Sequence, residues 1–164
     1  MEWPRQIGRL FVLMALQLLV FNRLNIAGLC CPMVYILFLV NLPVPFSRIG
    51  EMFVGVAVGL MMDIWCNSLG VHIAACVALC FLRPLFLKNR VQEMERVKGE
   101  VCGRTIGYME YTKCAVVLTI VHHGLVFALD MWNFGNWWIV LLQTLISSAI
   151  TLLIVLGYDR LRHA

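Results

Sequence analysis

Charge is scarce in this chain: 13% of its 164 residues are Asp, Glu, Lys or Arg and 62% are hydrophobic, whereas an ordinary soluble domain is about 25% charged. A small water-soluble globule needs a polar surface around its core, and the residues to build one are missing. Also absent are a Gly-rich phosphate loop, a nucleophile elbow, a paired-carboxylate motif and an H-E-x-x-H zinc motif. These absences argue against an enzyme and against a bound cofactor. The bases are interleaved with acids, which removes support for nucleic-acid binding. There is no C-x-x-C pair either, so the seven cysteines do not suggest zinc or redox work. Cys30, Cys31, Cys76, Cys80 and Cys114 lie inside apolar runs, where reduced thiols behave as small hydrophobes.

What the chain has in quantity is apolar runs bounded by charged or turn-forming residues. A spanning helix needs about 20 mainly apolar residues, fewer where basic ends snorkel. Six runs qualify, at 7–21, 28–43, 50–65, 68–87, 112–129 and 136–158. The pattern predicts an all-α, polytopic bundle of six transmembrane helices forming one integral membrane domain over 1–164. The first run follows Arg5 and Arg9 as a signal peptide would, but Phe21-Asn22-Arg23 replaces a cleavage site, so it reads as a retained helix. Pro43-Val44-Pro45 separates the second and third runs, and Asn67-Ser68 offers an N-cap for the fourth. Only 88–111 is long enough for extra structure. There Val91, Met94, Val97 and Val101 recur at helical spacing among charges, which predicts an amphipathic helix on the membrane surface.

Six crossings with the N-terminus inside put twelve of the thirteen Lys and Arg residues on the inner side, Arg23 being the exception. Cytoplasmic segments accumulate such residues, so both termini and 88–111 are expected in the cytoplasm. Trp65, Trp132, Trp137 and Trp138 gather at the other face. The surface helix then meets anionic lipid of the inner leaflet.

A few polar positions stand out. Asp63 ends an apolar run, where a carboxylate is costly enough to mark a functional candidate. The plainer reading is that it satisfies free backbone donors at a helix-to-helix turn, with Arg23 as its ionic partner. His122 and His123 lie ~14 Å into the fifth run. Neighbouring positions diverge by about 100°, so at most one of the two is expected to face the bundle centre fully. Their expected role is interhelical hydrogen bonding to groups such as Gln143, Thr144, Ser147 or Ser148, ahead of a proton or substrate role. Gly55-x-x-x-Gly59 is a small-residue spacing that suits close helix packing. Glu93, Glu95, Glu100 and Glu110 read as a solvated face of i, i+3 and i, i+4 pairs.

The stretch from Gly55 through Gly59-Leu60-Met61-Met62-Asp63, Asn67-Ser68-Leu69-Gly70 and on to Phe81-Leu82-Arg83-Pro84 resembles the rod-shape-determining protein MreD. The shared pattern is G-L-x-x-D, a short polar turn, then Gly and an alanine-rich helix, with Gly59, Leu60, Asp63 and Gly70 as the motif positions. The resemblance implies a non-enzymatic scaffold of the cell-elongation machinery in the bacterial inner membrane. Its partners would be MreC, directly and through a transmembrane helix, with RodA, a class B penicillin-binding protein and MreB in the same peptidoglycan-synthesis assembly. A helix face such as Gly55/Gly59 would serve for MreC. MreD-like proteins also resemble the substrate-binding S-components of energy-coupling-factor transporters, which implies the alternative of a vitamin-binding subunit. A vitamin pocket needs several convergent polar groups, and the middle of the apolar runs offers few beyond His122, His123 and Gln143.

Overall fold

The computed structural model describes residues 3–24, 30–43, 47–87, 100–131 and 136–163. Its helices are α1 (Trp3–Leu19, followed by a 3-10 turn at Phe21–Arg23), α2 (Ile36–Val40), α3 (Arg48–Cys66), α4 (Val71–Leu87), α5 (Gly103–Ile106), α6 (Tyr108–Asp130) and α7 (Trp137–His163). Among the described residues there is no strand, and Pro43 and Glu100 form an isolated antiparallel bridge. Four stretches are long and apolar enough to cross a membrane: Pro4–Arg23, Arg48–Cys66, Tyr108–Asp130 and Trp137–Arg162. The fold is therefore that of a multi-pass helical membrane protein. Helix α4, at 17 residues, is about 26 Å long at 1.5 Å per residue, a little short of a ~30 Å hydrocarbon core.

Local sequence explains the helix ends. The Ser47 hydroxyl accepts from the Gly50 amide at 3.0 Å and starts α3. Asn67 ends it in the left-handed conformation, φ 53°, with its amide on the Asp63 carbonyl. Asn67 is thus the stop of α3 and not a start signal for α4. Gly70 follows at φ +84°, a conformation that favours glycine, and the chain turns into α4. Helix α3 packs on α4, α4 on α6, and α6 on α7.

The second run departs from expectation. Over 30–43 only Ile36–Val40 is an α-helix, and 31–33 are irregular backbone. Proline is the local cause: Pro32 has no amide to donate and pushes Cys31 away from helical geometry. Such backbone is tolerated at membrane depth where other protein surrounds it. That condition is met, since every residue from Met33 to Leu42 is buried. Polar side chains of the spanning helices replace the missing helical partners. The amides of Cys31, Met33 and Val34 donate to Ser147 Oγ (3.0 Å), Thr151 Oγ1 (3.0 Å) and Gln17 Oε1 (2.7 Å), and Gln17 Nε2 donates to the Pro32 carbonyl at 3.1 Å. At the far end Arg83 donates to the carbonyls of Val40, at 3.1 Å, and of Leu42. The six-helix expectation is corrected accordingly: the second apolar run is a buried, mostly irregular segment threaded between long helices.

The expected surface helix falls mostly outside the described residues, at 88–99, Val91, Met94 and Val97 included. From Glu100 on, Val101, Cys102 and Ile106 are buried, α5 spans a single turn, and α6 has begun by Tyr108. This end of the segment tucks under the bundle. Glu100 is not on a solvated face: it is largely enclosed and gathers Gln6, Arg9 and Arg162, with Arg9 Nη1 at 2.7 Å. Glu110 and Lys113 do form the exposed i, i+3 pair, at 3.1 Å.

Candidate functional site

The motif residues Gly59, Asp63 and Gly70, and the packing residue Gly55, assemble on the α3–α4 hairpin. A Cβ at Gly59 would lie 2.5 Å from the Ile73 Cα, and one at Gly55 would lie 3.0 Å from both the Cys76 carbonyl oxygen and Cys80 Sγ. The glycine spacing therefore serves close packing, as expected, with α4 of the same chain as its partner. That face is filled and offers nothing to a second protein. Leu60, by contrast, points outward and is 46% exposed.

Asp63 crosses the same turn. One carboxylate oxygen accepts from the His72 amide at 2.9 Å and from Ser68 Oγ at 2.5 Å, and the other accepts from the Ile73 amide at 3.0 Å. Those amides are free donors of the first turn of α4, so Asp63 caps a helix that follows it in sequence. Its partners are backbone and Ser68; Arg23 makes no ion pair with it among the described residues.

His122 and His123 are both fully buried, although adjacent positions on a helix diverge. The reason is that α6 is enclosed on two sides. His122 Nε2 faces the Tyr35 hydroxyl at 3.1 Å, with Cys76 Sγ at 3.6 Å, while His123 Nδ1 donates to the Thr119 carbonyl at 2.9 Å and its Nε2 meets Thr151 Oγ1 at 3.3 Å. Hydrogen bonding to neighbouring elements is what the histidines do, with partners other than the four named: the irregular segment supplies Tyr35 and α7 supplies Thr151. Tyr35 also bonds His72 Nδ1 at 3.0 Å. A hydroxyl has one proton to give, so Tyr35 donates to one imidazole and accepts from the other, which must carry hydrogen on the facing nitrogen.

A second buried group was not singled out in the sequence. Arg83 Nη1 pairs with Glu51 Oε1 at 2.5 Å, with Arg83 wholly buried and Glu51 nearly so. With its bonds to Val40 and Leu42, this arginine ties α3, α4 and the irregular segment together. The signal available was Glu51 and Arg83 just inside the ends of two successive apolar runs, opposite charges at matching depth.

Chemically these groups hold elements in place. No group of three His, Cys, Asp or Glu side chains among the described residues is placed to hold a metal ion. Comparison with protein-family models, with curated proteins and with solved structures finds no match to this chain.

Proposed function

We propose that the chain is a non-enzymatic membrane scaffold of the bacterial cell-elongation machinery, seated in the inner membrane with both termini cytoplasmic and associating with MreC. The observation that carries this reading is architectural. Of the positions that carry the MreD resemblance, Gly59 and Asp63 hold α3 against α4, Gly70 makes the turn between them, and Leu60 points outward, so the motif is taken up by packing and the turn. The orientation draws support from Gln6, Arg9, Glu100 and Arg162 meeting at one end of the bundle, while Asn22 and Cys66 meet at the other.

Because α4 covers the glycine face, a transmembrane partner has the outward flanks to bind. Ile49, Phe53, Val56, Leu60 and Ile64 form such a stripe along α3. Co-purification with MreC in mild detergent tests the reading. The unmodified chain is expected to retain MreC, and Phe53→Ala with Leu60→Ala to lose it while staying inserted. No retention by the unmodified chain would sink the scaffold. The alternative, a vitamin-binding transport subunit, gains from a cavity at the Cys66 end; tight vitamin binding together with absent MreC binding would establish it instead.

A further inference from the structure

The cavity at the Cys66 end has a volume of about 380 Å³ and is walled by the ends of α1, α3, α4, α6 and α7 and by the start of the irregular segment. Ligand sites commonly begin at about 300 Å³. Its polar lining includes Gln17, Asn22, Ser68, His72 and Asp130. Several of these are already committed. Gln17 Nε2 donates to Asn22 Oδ1 at 2.8 Å, and the Ser68 hydroxyl donates to Asp63, so they shape the wall. Two are available. Asp130 is exposed at the last residue of α6. His72 is only 7% exposed, and with Nδ1 held by Tyr35 its Nε2 has no hydrogen-bond partner among the described residues.

Charge decides the class of ligand. Among the described residues no lysine or arginine lines the cavity, Asp130 contributes a carboxylate, and Asp63 stands behind the wall on the amides of His72 and Ile73. An anion would meet negative charge with no base to offset it, whereas a cation is met by charge-assisted contact. Three thiols, of Cys30, Cys31 and Cys66, also face the space, yet no described group of His, Cys, Asp or Glu is arranged to hold a metal. We propose that this cavity binds a compact organic cation, its ammonium on Asp130 and a second polar group on His72 Nε2. That nitrogen is donor or acceptor according to which imidazole the Tyr35 proton serves, so the contact adapts to the ligand and is felt at His122. The site stands independently of the scaffold reading.

Cys66 lines the cavity and is exposed, so its alkylation rate reports occupancy. The full chain in nanodiscs at pH 7 is treated with a maleimide in the presence of methylammonium, choline or benzylammonium, with benzyl alcohol and benzoate as uncharged and anionic counterparts. At least one ammonium is expected to slow Cys66 alkylation saturably, with benzoate inert. Asp130→Asn should weaken that protection about tenfold, the loss of roughly one charge-assisted contact, and Asp130→Glu should retain it. Tyr35→Phe should change the affinity without abolishing it. Protection by benzyl alcohol equal to that by benzylammonium, an unchanged Asp130→Asn, protection by zinc ion alone, or no protection by any ammonium would each overturn the proposal.

Discussion

Asp63 and Gly59 act on the same backbone from opposite directions. The carboxylate draws the first amides of α4 toward α3, and the missing side chain at Gly59 leaves the space for them to come. Asp63→Asn keeps one oxygen able to accept, so it is expected to destabilise less than Asp63→Ala, which orphans two amides at about 1–3 kcal/mol each. Thermal unfolding in detergent, followed by near-UV circular dichroism, ranks the two; equal losses would mean that the negative charge itself is what matters. Gly59→Ala meets backbone, which cannot swing aside, and should cost about 1–3 kcal/mol. Gly124→Ala, whose Cβ would find only Thr144 Cγ2 at 3.8 Å, should be nearly silent in the same assay. Arg83 and Glu51 are coupled more tightly. Arg83→Met leaves a buried carboxylate and two carbonyls without their donor, a loss of about 3–5 kcal/mol, and adding Glu51→Leu should recover part of it. Additive losses in the double variant would show that the pair does not act as a unit.

At the scale of elements, the segment 30–43 depends on side chains far away in sequence. Thr151→Val leaves the buried Met33 amide unsatisfied and Ser147→Ala the half-buried Cys31 amide, and each should destabilise, the first by about 1–3 kcal/mol and the second by less. Hydrogen exchange at Met33 and Cys31 is the specific readout, and it should quicken there before it does in α3. Long apolar helices were legible because their bounds are charged residues and their length matches a bilayer; α3, α6 and α7 lie within a few residues of their expected positions. The irregular segment was not, because a short continuous apolar run looks the same whether it is helix or extended chain buried on every side. Pro32 inside that run was the local warning. Polar residues on the long helices were a second signal: Gln17, Ser147, Thr151 and Arg83 are the donors and acceptors such a segment requires. The Asp63 cap was anticipated in kind, since an acid at a turn finds amides. The pairing of Tyr35 with two histidines was not, because nothing local links residues 35, 72 and 122.

For the whole molecule, one carboxylate joins the first helix, the last helix and the chain between them. Burial alone would raise the pKa of Glu100, but the hydrogen bond from Arg162 and the charge of Arg9 outweigh it, and the net shift is downward. A carboxyl that is more acidic when folded contributes stability that is complete above its unfolded value of about 4.3 and disappears as pH falls through the folded value. The unmodified chain should therefore lose thermal stability on acidification below that range more steeply than Glu100→Gln does; parallel curves would show that the cluster is not coupled to folding. The same cluster fixes where the ends lie. With Cys66→Ser and Leu161→Cys together, labelling of intact cells should fail and succeed only after permeabilisation, while the unmodified chain should label at Cys66 from outside. The reverse pattern would invert the proposed orientation.

The threaded segment also sets an order of events during synthesis. Its Cys31 and Met33 amides are satisfied by Ser147 and Thr151, which leave the ribosome more than a hundred residues later. Until α7 arrives, that stretch has to wait near the water boundary or lean on temporary partners, because exposed amides are expensive in lipid. Maturation of the N-terminal third is thus gated by the C-terminal helix. A chain stopped short of Ser147 carries an early defect as well as a late one, and a quality-control protease reading the membrane would meet it at residues 31–34.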